Sequence, residues 1–421
     1  MKPYIEWTKE ELVAEKARLE QEFAEVKAKG LNLNISRGKP AAAQLDLTEG
    51  MLTVLSKNED TFAEDGTDCR NYGVLTGIPE ARKLIGDICE VPAENVIVYG
   101  NASLTIMFDT VARSFLKGVA GCTPWNKLDK VKFLCPVPGY DRHFGVTEYF
   151  GVEMINVPMT PEGPDMDMVE KLVAEDDAIK GIWCVPKYSN PQGYTYSDET
   201  VRRFANLKPA AKDFRIFWDN AYIIHHLYDD RQDHLLNIIE ECEKAGNPDM
   251  VYEFVSTSKV SYPGAGIAAL ISSEANIKEA QEYMNFQIIG HDKLNQLRHV
   301  KFFQNLDGVM NQMKKHAEIL RPKFEAILQV MDQELSAWHR FLDKTERRIL
   351  HLLRCDGGMR KEDRCKGKRG RSYHDRRGRN VSISQRSAGF QHPYCTVLPD
   401  TGRAGNRRSG IRAECQTGQR G

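Results

Sequence analysis

Between about residues 80 and 275, six short apolar runs alternate with stretches of helical periodicity: ENVIVYG, KVKFLCP, AIKGIWCVP, FRIFWDN, MVYEFVS and GIAALISS. Runs this uniformly apolar have no wet face, so they read as strands buried on both sides, and such strands belong to a mostly parallel sheet covered by helices. A chain of 421 residues can bury a sheet of this kind and carry a second unit beside it, which excludes a small binding module.

Helices are expected on either side of this region. TKEELVAEKARLEQEFAEVKAKG opens with Thr8 as N-cap and Glu11 three residues on, a capping box, and stops at Gly30. Its apolar stripe, Leu12, Leu19, Phe23 and Val26, is expected to pack against the body of the protein. Met313, Ala317, Leu320, Phe324, Ile327, Leu328, Met331 and Leu335 recur at spacings of three and four, a long helix kinked at Pro322 and leading to a second domain.

Ligands of open α/β sheets gather at the carboxyl ends of the strands, and five of these strands end in polar motifs. VIVYG runs into Asn101, Ala102, Ser103 and Leu104, a small-residue turn opening a helix whose free N–H groups suit a phosphate; a plain helix cap explains it equally well. KFLCP leads to Tyr140, which could stack on a flat heterocycle or simply pack. IWCVP leads to Asn190 before Pro191, by itself a turn. FRIFW ends at Asp219, with Tyr222 three residues later; a buried acid there either pairs with a basic group or meets water at the sheet edge. YEFVS leads to Ser256, Thr257, Ser258 and Lys259. A lysine in such a place is more often exposed, but in a dry setting it becomes a Schiff-base amine, with the hydroxyls left for a phosphate.

Taken in order, a phosphate turn, an aromatic, an Asn before Pro, an Asp with a Tyr at +3 and an S-x-S-K resemble the signature of fold-type I aminotransferases that use pyridoxal 5'-phosphate (PLP), over about residues 30 to 335. RNYGVLTGIPEAR, GNASL, STSKVSYPGAG and GHDKLNQLRHV look most like a bacterial aspartate aminotransferase subgroup. The resemblance implies an α/β fold of type I, a mostly parallel sheet of the seven-stranded type between helices plus a smaller α/β domain. It implies that Lys259 forms the Schiff base and moves the proton, that Asp219 faces the pyridine nitrogen, and that Tyr222 and Asn190 bond the ring oxygen while Tyr140 stacks on the ring. Asn101, Ala102, Ser103, Ser256 and Ser258 would hold the phosphate, with Tyr72 reaching across from a second subunit, so a homodimer is implied. ISRGKP resembles the substrate loop, which puts Arg37 and Gly38, together with Asn190, near the substrate carboxylate; a surface arginine fits nearly as well.

Two departures stand out. Where many relatives carry a phosphate-gripping arginine after the lysine, this chain has Gly264, Ala265 and Gly266. His225 and His226 follow the Asp-Tyr motif without metal spacing and read as packing or supporting residues.

The expected layout is an N-terminal helix and substrate loop over residues 1–45, a large cofactor-binding domain over 46–305, a linking helix over 306–335 and an anomalous tail over 336–421 that stands in place of the rest of the small domain. The tail holds 21 Lys plus Arg against 8 Asp plus Glu, leaving 37 against 51 elsewhere, and only 12 Leu, Ile, Val or Phe, too few to build a core. A basic tail of this kind could grip nucleic acid or an anionic membrane. Yet suitable codons for TERRILHLLRC followed by Asp356, read one base out of frame, spell PNGGYFISFDA, and those for GFQHPYCTVLP spell DSNIRIAPSYP. Both resemble strands of the family's second domain, so a frameshift beginning near Ser336 is the reading adopted. The displaced NIRIAP would hold the arginine that clamps the substrate α-carboxylate, and no residue of the chain as written matches it.

Ten cysteines without a C-x-x-C pair fit reduced thiols, and neither a leader segment nor an apolar run of membrane length is visible. The expectation is a cytoplasmic homodimer acting on an amino acid, L-aspartate first, and a 2-oxo acid, 2-oxoglutarate, with no metal, nucleic acid or membrane. Another fold-type I reaction, alanine transamination or a β-lyase, and a degenerate PLP-binding homologue stay open.

Overall fold

The computed structural model describes residues 7–32 and 39–335 and, beyond them, the backbone of Arg340–Asp343, Leu352–Cys355, Tyr373–His374 and Asn380–Val381. The basic tail and its reading frame fall in 336–421, and Arg37 and Gly38 in 33–38, so these expectations lie outside the described residues.

Eight strands build the main sheet: β1 (Val96–Val98), β2 (Lys132–Val137), β3 (Glu153–Thr160), β4 (Gly163–Pro164), β5 (Ile179–Cys184), β6 (Arg215–Asp219), β7 (Val251–Ser256) and β8 (Ala268–Ile271). Their order is β1-β8-β7-β6-β5-β2-β3-β4. The central run from β7 to β3 is parallel throughout. Strand β8 runs antiparallel to both β7 and β1, and β4 antiparallel to β3. All six expected strands form. The two that were not expected lie at one edge, where β3 is mostly half-exposed and so lacks the continuous apolar run that marks the others.

The helices are α1 (Lys9–Ala28), α2 (Ala42–Asp46), α3 (Pro79–Cys89), α4 (Ser103–Lys117), α5 (Asp141–Tyr149), α6 (Met166–Glu175), α7 (Asp198–Ala205), α8 (Ile238–Lys244), α9 (Glu274–Gln287), α10 (Lys293–Phe303) and α11 (Leu306–Leu335). Alternate residues of each strand feed two separate cores. Val96, Val98, Ile216 and Trp218 pack with Leu84 of α3, Val169 of α6, Phe204 of α7, Leu297 of α10 and Val309 of α11. Ile97, Phe133 and Phe217 pack on the other face with Met107 of α4, Phe144 of α5 and Met284 of α9. The result is helices on both faces of one sheet, the layering that doubly apolar strands require.

Helix α11 covers the expected linking helix and carries Pro322 within it. In α1 the capping box is present: Glu11 N–H donates to Thr8 Oγ1 at 3.2 Å and the Thr8 N–H to the Glu11 carboxylate at 2.7 Å. The expected packing of its apolar stripe is not. No residue of α1 is buried, and Leu12, Leu19, Phe23 and Val26 are between 37% and 43% exposed. This helix is held by its cap and by ion pairs along its own surface, such as Arg18 with Glu15 and Glu22, which need no partner layer. Among the described residues, no helix is long and apolar enough to cross a membrane.

Candidate active site

Strand β6 sits in the middle of the sheet, and its last residue, Asp219, is 4% exposed. Phe217, on the same strand face, belongs to the core beneath α5, and from α5 the His143 Nε2 lies 2.9 Å from Asp219 Oδ2, which accepts from the ring N–H. His143 is 1% exposed and its ring lies flat on Trp183, 4.7 Å between centroids at 14°. Of the two fates open to the acid, pairing with a basic group is the one realised. The other oxygen, Asp219 Oδ1, is buried without a hydrogen-bond partner. A buried carboxylate oxygen left this way costs about 1 to 3 kcal/mol, so it marks a place for an N–H or cation from a ligand.

Tyr140, the N-cap residue of α5, stands edge-on to the His143 ring at 5.1 Å. Burial first, then the charge of Asp219, pushes its phenol above the ordinary range, and Tyr222 acts in the same direction, so Tyr140 stays neutral beside both. The Lys259 Nζ lies 4.4 Å from the centroid of the Tyr222 ring, with Lys259 itself half-buried. Asp219, Tyr140, Tyr222 and Lys259, separated by up to 119 positions along the chain, thus form one neighbourhood at the ends of β2, β6 and β7.

The turn bearing Lys259 is fixed from below. Val260 and Ser261 N–H groups donate to the Thr257 carbonyl at 2.9 and 2.8 Å. His299 of α10 places Nδ1 2.7 Å from the Asn295 carbonyl and Nε2 2.8 Å from Ser261 Oγ. Burial drives the His299 pKa down to about 4, so the ring is neutral; Nδ1–H donates to the carbonyl and Nε2 accepts from the serine hydroxyl.

The two candidate phosphate segments also meet. Ser258 Oγ donates to the Asn101 carbonyl at 3.2 Å, the Ser256 and Ser258 hydroxyls are 3.2 Å apart, and Asn101 Nδ2 donates to the Pro263 carbonyl at 3.2 Å. Helix α4 starts beside them, and Ala102 at its N-cap provides no side-chain acceptor, so its first-turn donors are not consumed by a cap. Ser103 is its first helical residue. No arginine follows the lysine. A Cβ at Gly266 would come 2.9 Å from Thr257 Oγ1 and 3.1 Å from the Tyr262 carbonyl, so glycine is what lets this loop close against the lysine turn, and Asn295 Nδ2 holds the Gly266 carbonyl at 2.7 Å.

Asn190 is half-buried on the loop after β5, joined to Pro191 by a cis peptide bond. Tyr72 is 82% exposed. His226 bonds the Tyr188 hydroxyl at 2.7 Å, in line with a supporting role. His143 was missed by sequence reasoning: one turn into a helix, on the third residue after Tyr140, it carries no motif, and only the fold puts it behind Asp219.

The site suits a flat, nitrogen-containing ring with a phosphate arm: a buried acid with one open oxygen, neutral aromatic side chains around it, and an amine and an uncapped helix start within reach. On this α/β layout that defines a transaminase of fold type I. The profile described as aspartate amino-transferase matches residues 7–345. An aspartate aminotransferase of Corynebacterium glutamicum is 43% identical over 321 residues, 76% of this chain and 74% of that protein. The crystal structure of an aspartate transaminase from the same organism is similar with a TM-score of 0.76 and 42% identity, covering 79% of this chain and 78% of that one. LysN, an α-aminoadipate aminotransferase from Thermus thermophilus solved with N-(5'-phosphopyridoxyl)-L-leucine, shares the fold at a TM-score of 0.62 and 18% identity, over 81% of this chain and 80% of that one. The chain belongs to the aspartate aminotransferase family.

Proposed function

We propose that this transaminase uses PLP to move an amino group between L-aspartate and 2-oxoglutarate, with Lys259 as the residue that carries the cofactor. The observation that carries the reading is the open Oδ1 of Asp219, a buried carboxylate oxygen waiting for a donor in the same neighbourhood as the Lys259 amine. When bound, PLP supplies an electron sink that makes the substrate Cα–H acidic.

In this reading Asp219 holds the ring nitrogen in its protonated form; an opposite charge at close range shifts a pKa by ~1 to 3 units. His143 keeps Asp219 aimed by filling Oδ2, which leaves Oδ1 for the ring. Tyr140 packs its neutral ring against the heterocycle, and Tyr222 and Asn190 donate to its ring oxygen. Asn101, Ala102, Ser103, Ser256 and Ser258 bind the phosphate through hydroxyls and the α4 amides, and Tyr72 of the partner subunit completes that site in a homodimer. Lys259 Nζ would hold the cofactor and, as an amine, would move the proton taken from substrate Cα. L-Aspartate as the donor is supported by the family and by the relatives at 42% and 43% identity.

The test is to add PLP to the purified protein, record the visible spectrum, and then add L-aspartate, L-alanine or no amino acid. A visible band that L-aspartate bleaches, with 2-oxoglutarate restoring it, is expected. No band would end the cofactor reading; a band bleached by L-alanine but not L-aspartate would move the substrate.

A further inference from the structure

The loops that carry Asn190 and Tyr222 leave neighbouring parallel strands, since Cys184 at the end of β5 pairs with Trp218 beside the end of β6. Both loops are irregular until α7 and α8 begin, so no ladder of backbone bonds sets their separation. Side chains tie them instead. Lys187 Nζ donates to the Ile223 carbonyl at 2.8 Å, and the Tyr188 hydroxyl meets His226 Nδ1 at 2.7 Å. The same hydroxyl accepts from the Asp233 N–H at 3.1 Å, and Thr195 Oγ1 donates to the Asp233 carboxylate at 2.7 Å.

Tyr188 is the pivot. It is fully buried, and its backbone has φ of 47°, the left-handed region that a bulky residue occupies only where its surroundings force it. Two residues later comes Asn190, and four residues before His226 stands Tyr222. His226 is neutral, since burial and then the charge of Lys187 lower its pKa to about 4, so its Nδ1 is free to accept the hydroxyl proton while the hydroxyl oxygen takes the Asp233 N–H.

We propose that Tyr188 and His226 are positioning residues: their hydrogen bond, with the Lys187 to Ile223 bond beside it, braces the Asn190 loop against the Tyr222 loop so that both polar groups meet the ring oxygen of PLP together. This rests on the cofactor reading given above. The brace touches neither cofactor nor substrate, so its signature is in how the cofactor is held and not in the fold.

Three variants separate these effects: Tyr188→Phe keeps the packing and removes the bond, His226→Ala removes the acceptor, and His226→Asn restores an acceptor at the place of Nδ1. Each is measured for PLP Kd by absorbance titration, for visible circular dichroism per bound PLP, and for apo Tm. Tyr188→Phe and His226→Ala are expected to weaken PLP binding by about fivefold to tenfold, the effect of one well-placed hydrogen bond, and to diminish the dichroism, with His226→Asn recovering most of both. Unchanged Kd and dichroism in Tyr188→Phe would overturn the brace. So would losses in all three variants that simply follow a falling apo Tm. Wild-type protein that develops no visible band with PLP would instead overturn the cofactor reading beneath it.

Discussion

Asp219 and His143 depend on each other in a way that fixes what each substitution does. With both no more than 4% exposed, removing the imidazole by His143→Leu strands a buried carboxylate, and breaking a buried pair in this manner costs roughly 3 to 5 kcal/mol. Urea unfolding should show that loss, whereas Asp219→Asn, which keeps the shape, should leave most of the stability and lower the transamination rate roughly 10- to 1,000-fold, the range an opposing charge commands over a neighbouring pKa. Equal effects of the two variants on stability would contradict the division of labour between Oδ1 and Oδ2. Glu253 makes a different prediction. It is fully buried on β7, accepts from Asn220 Nδ2 at 2.7 Å, and burial raises its pKa from 4.5 to about 7. A raised carboxyl pKa means the folded state prefers the proton, so this contribution is whole below about 4.5 and is lost as pH rises through about 7, up to about 3 kcal/mol. Glu253→Gln should therefore exceed wild type in Tm at pH 8 and lose that advantage at pH 5. That Asp219, Tyr222 and Lys259 would come together was legible in the sequence, because each sits at or just past a strand end. Glu253 and His143 were not, because a lone acid in a strand and a lone histidine in a helix signal nothing until neighbours from other elements surround them.

At the scale of elements, the strands that could be read were those buried on both faces, such as β5, every residue of which is buried. Strand β3 escaped because an edge position lets polar and apolar residues mix, and α1 was misjudged because an apolar stripe reports what a helix can cover, not what lies against it. The lysine turn is where two elements act as one, with α10 holding it through His299. Replacing that ring by His299→Leu removes its bonds to Ser261 Oγ and the Asn295 carbonyl, and since the serine hydroxyl keeps Thr257, the cost is about 0.5 to 1.5 kcal/mol for each bond lost. The expected outcome is a lower Tm together with weaker PLP binding, and a Tm within about 1 °C of wild type would show that α10 does not hold the turn.

Over the whole molecule, the large apolar side chains left on the surface point the same way as the exposed Tyr72. Phe286 is 95% exposed, Ile289 62% and Tyr72 82%, and Gly290 lies against the Gly73 carbonyl, so these apolar side chains fall in one region, as at a surface that meets another chain. A homodimer is the expected state in sedimentation, and Phe286→Glu should shift it toward monomer and weaken PLP binding if Tyr72 of the partner subunit completes the phosphate site. A fully active monomer would contradict that arrangement. The proposal that the Lys259 amine carries the cofactor underlies all of these outcomes. Its most direct measurement is borohydride reduction of the PLP-treated protein followed by peptide mass mapping. A reduced phosphopyridoxyl group on the peptide containing Lys259, absent from Lys259→Ala, is the predicted result; the same group on a different lysine, with Lys259 unmodified, would contradict it.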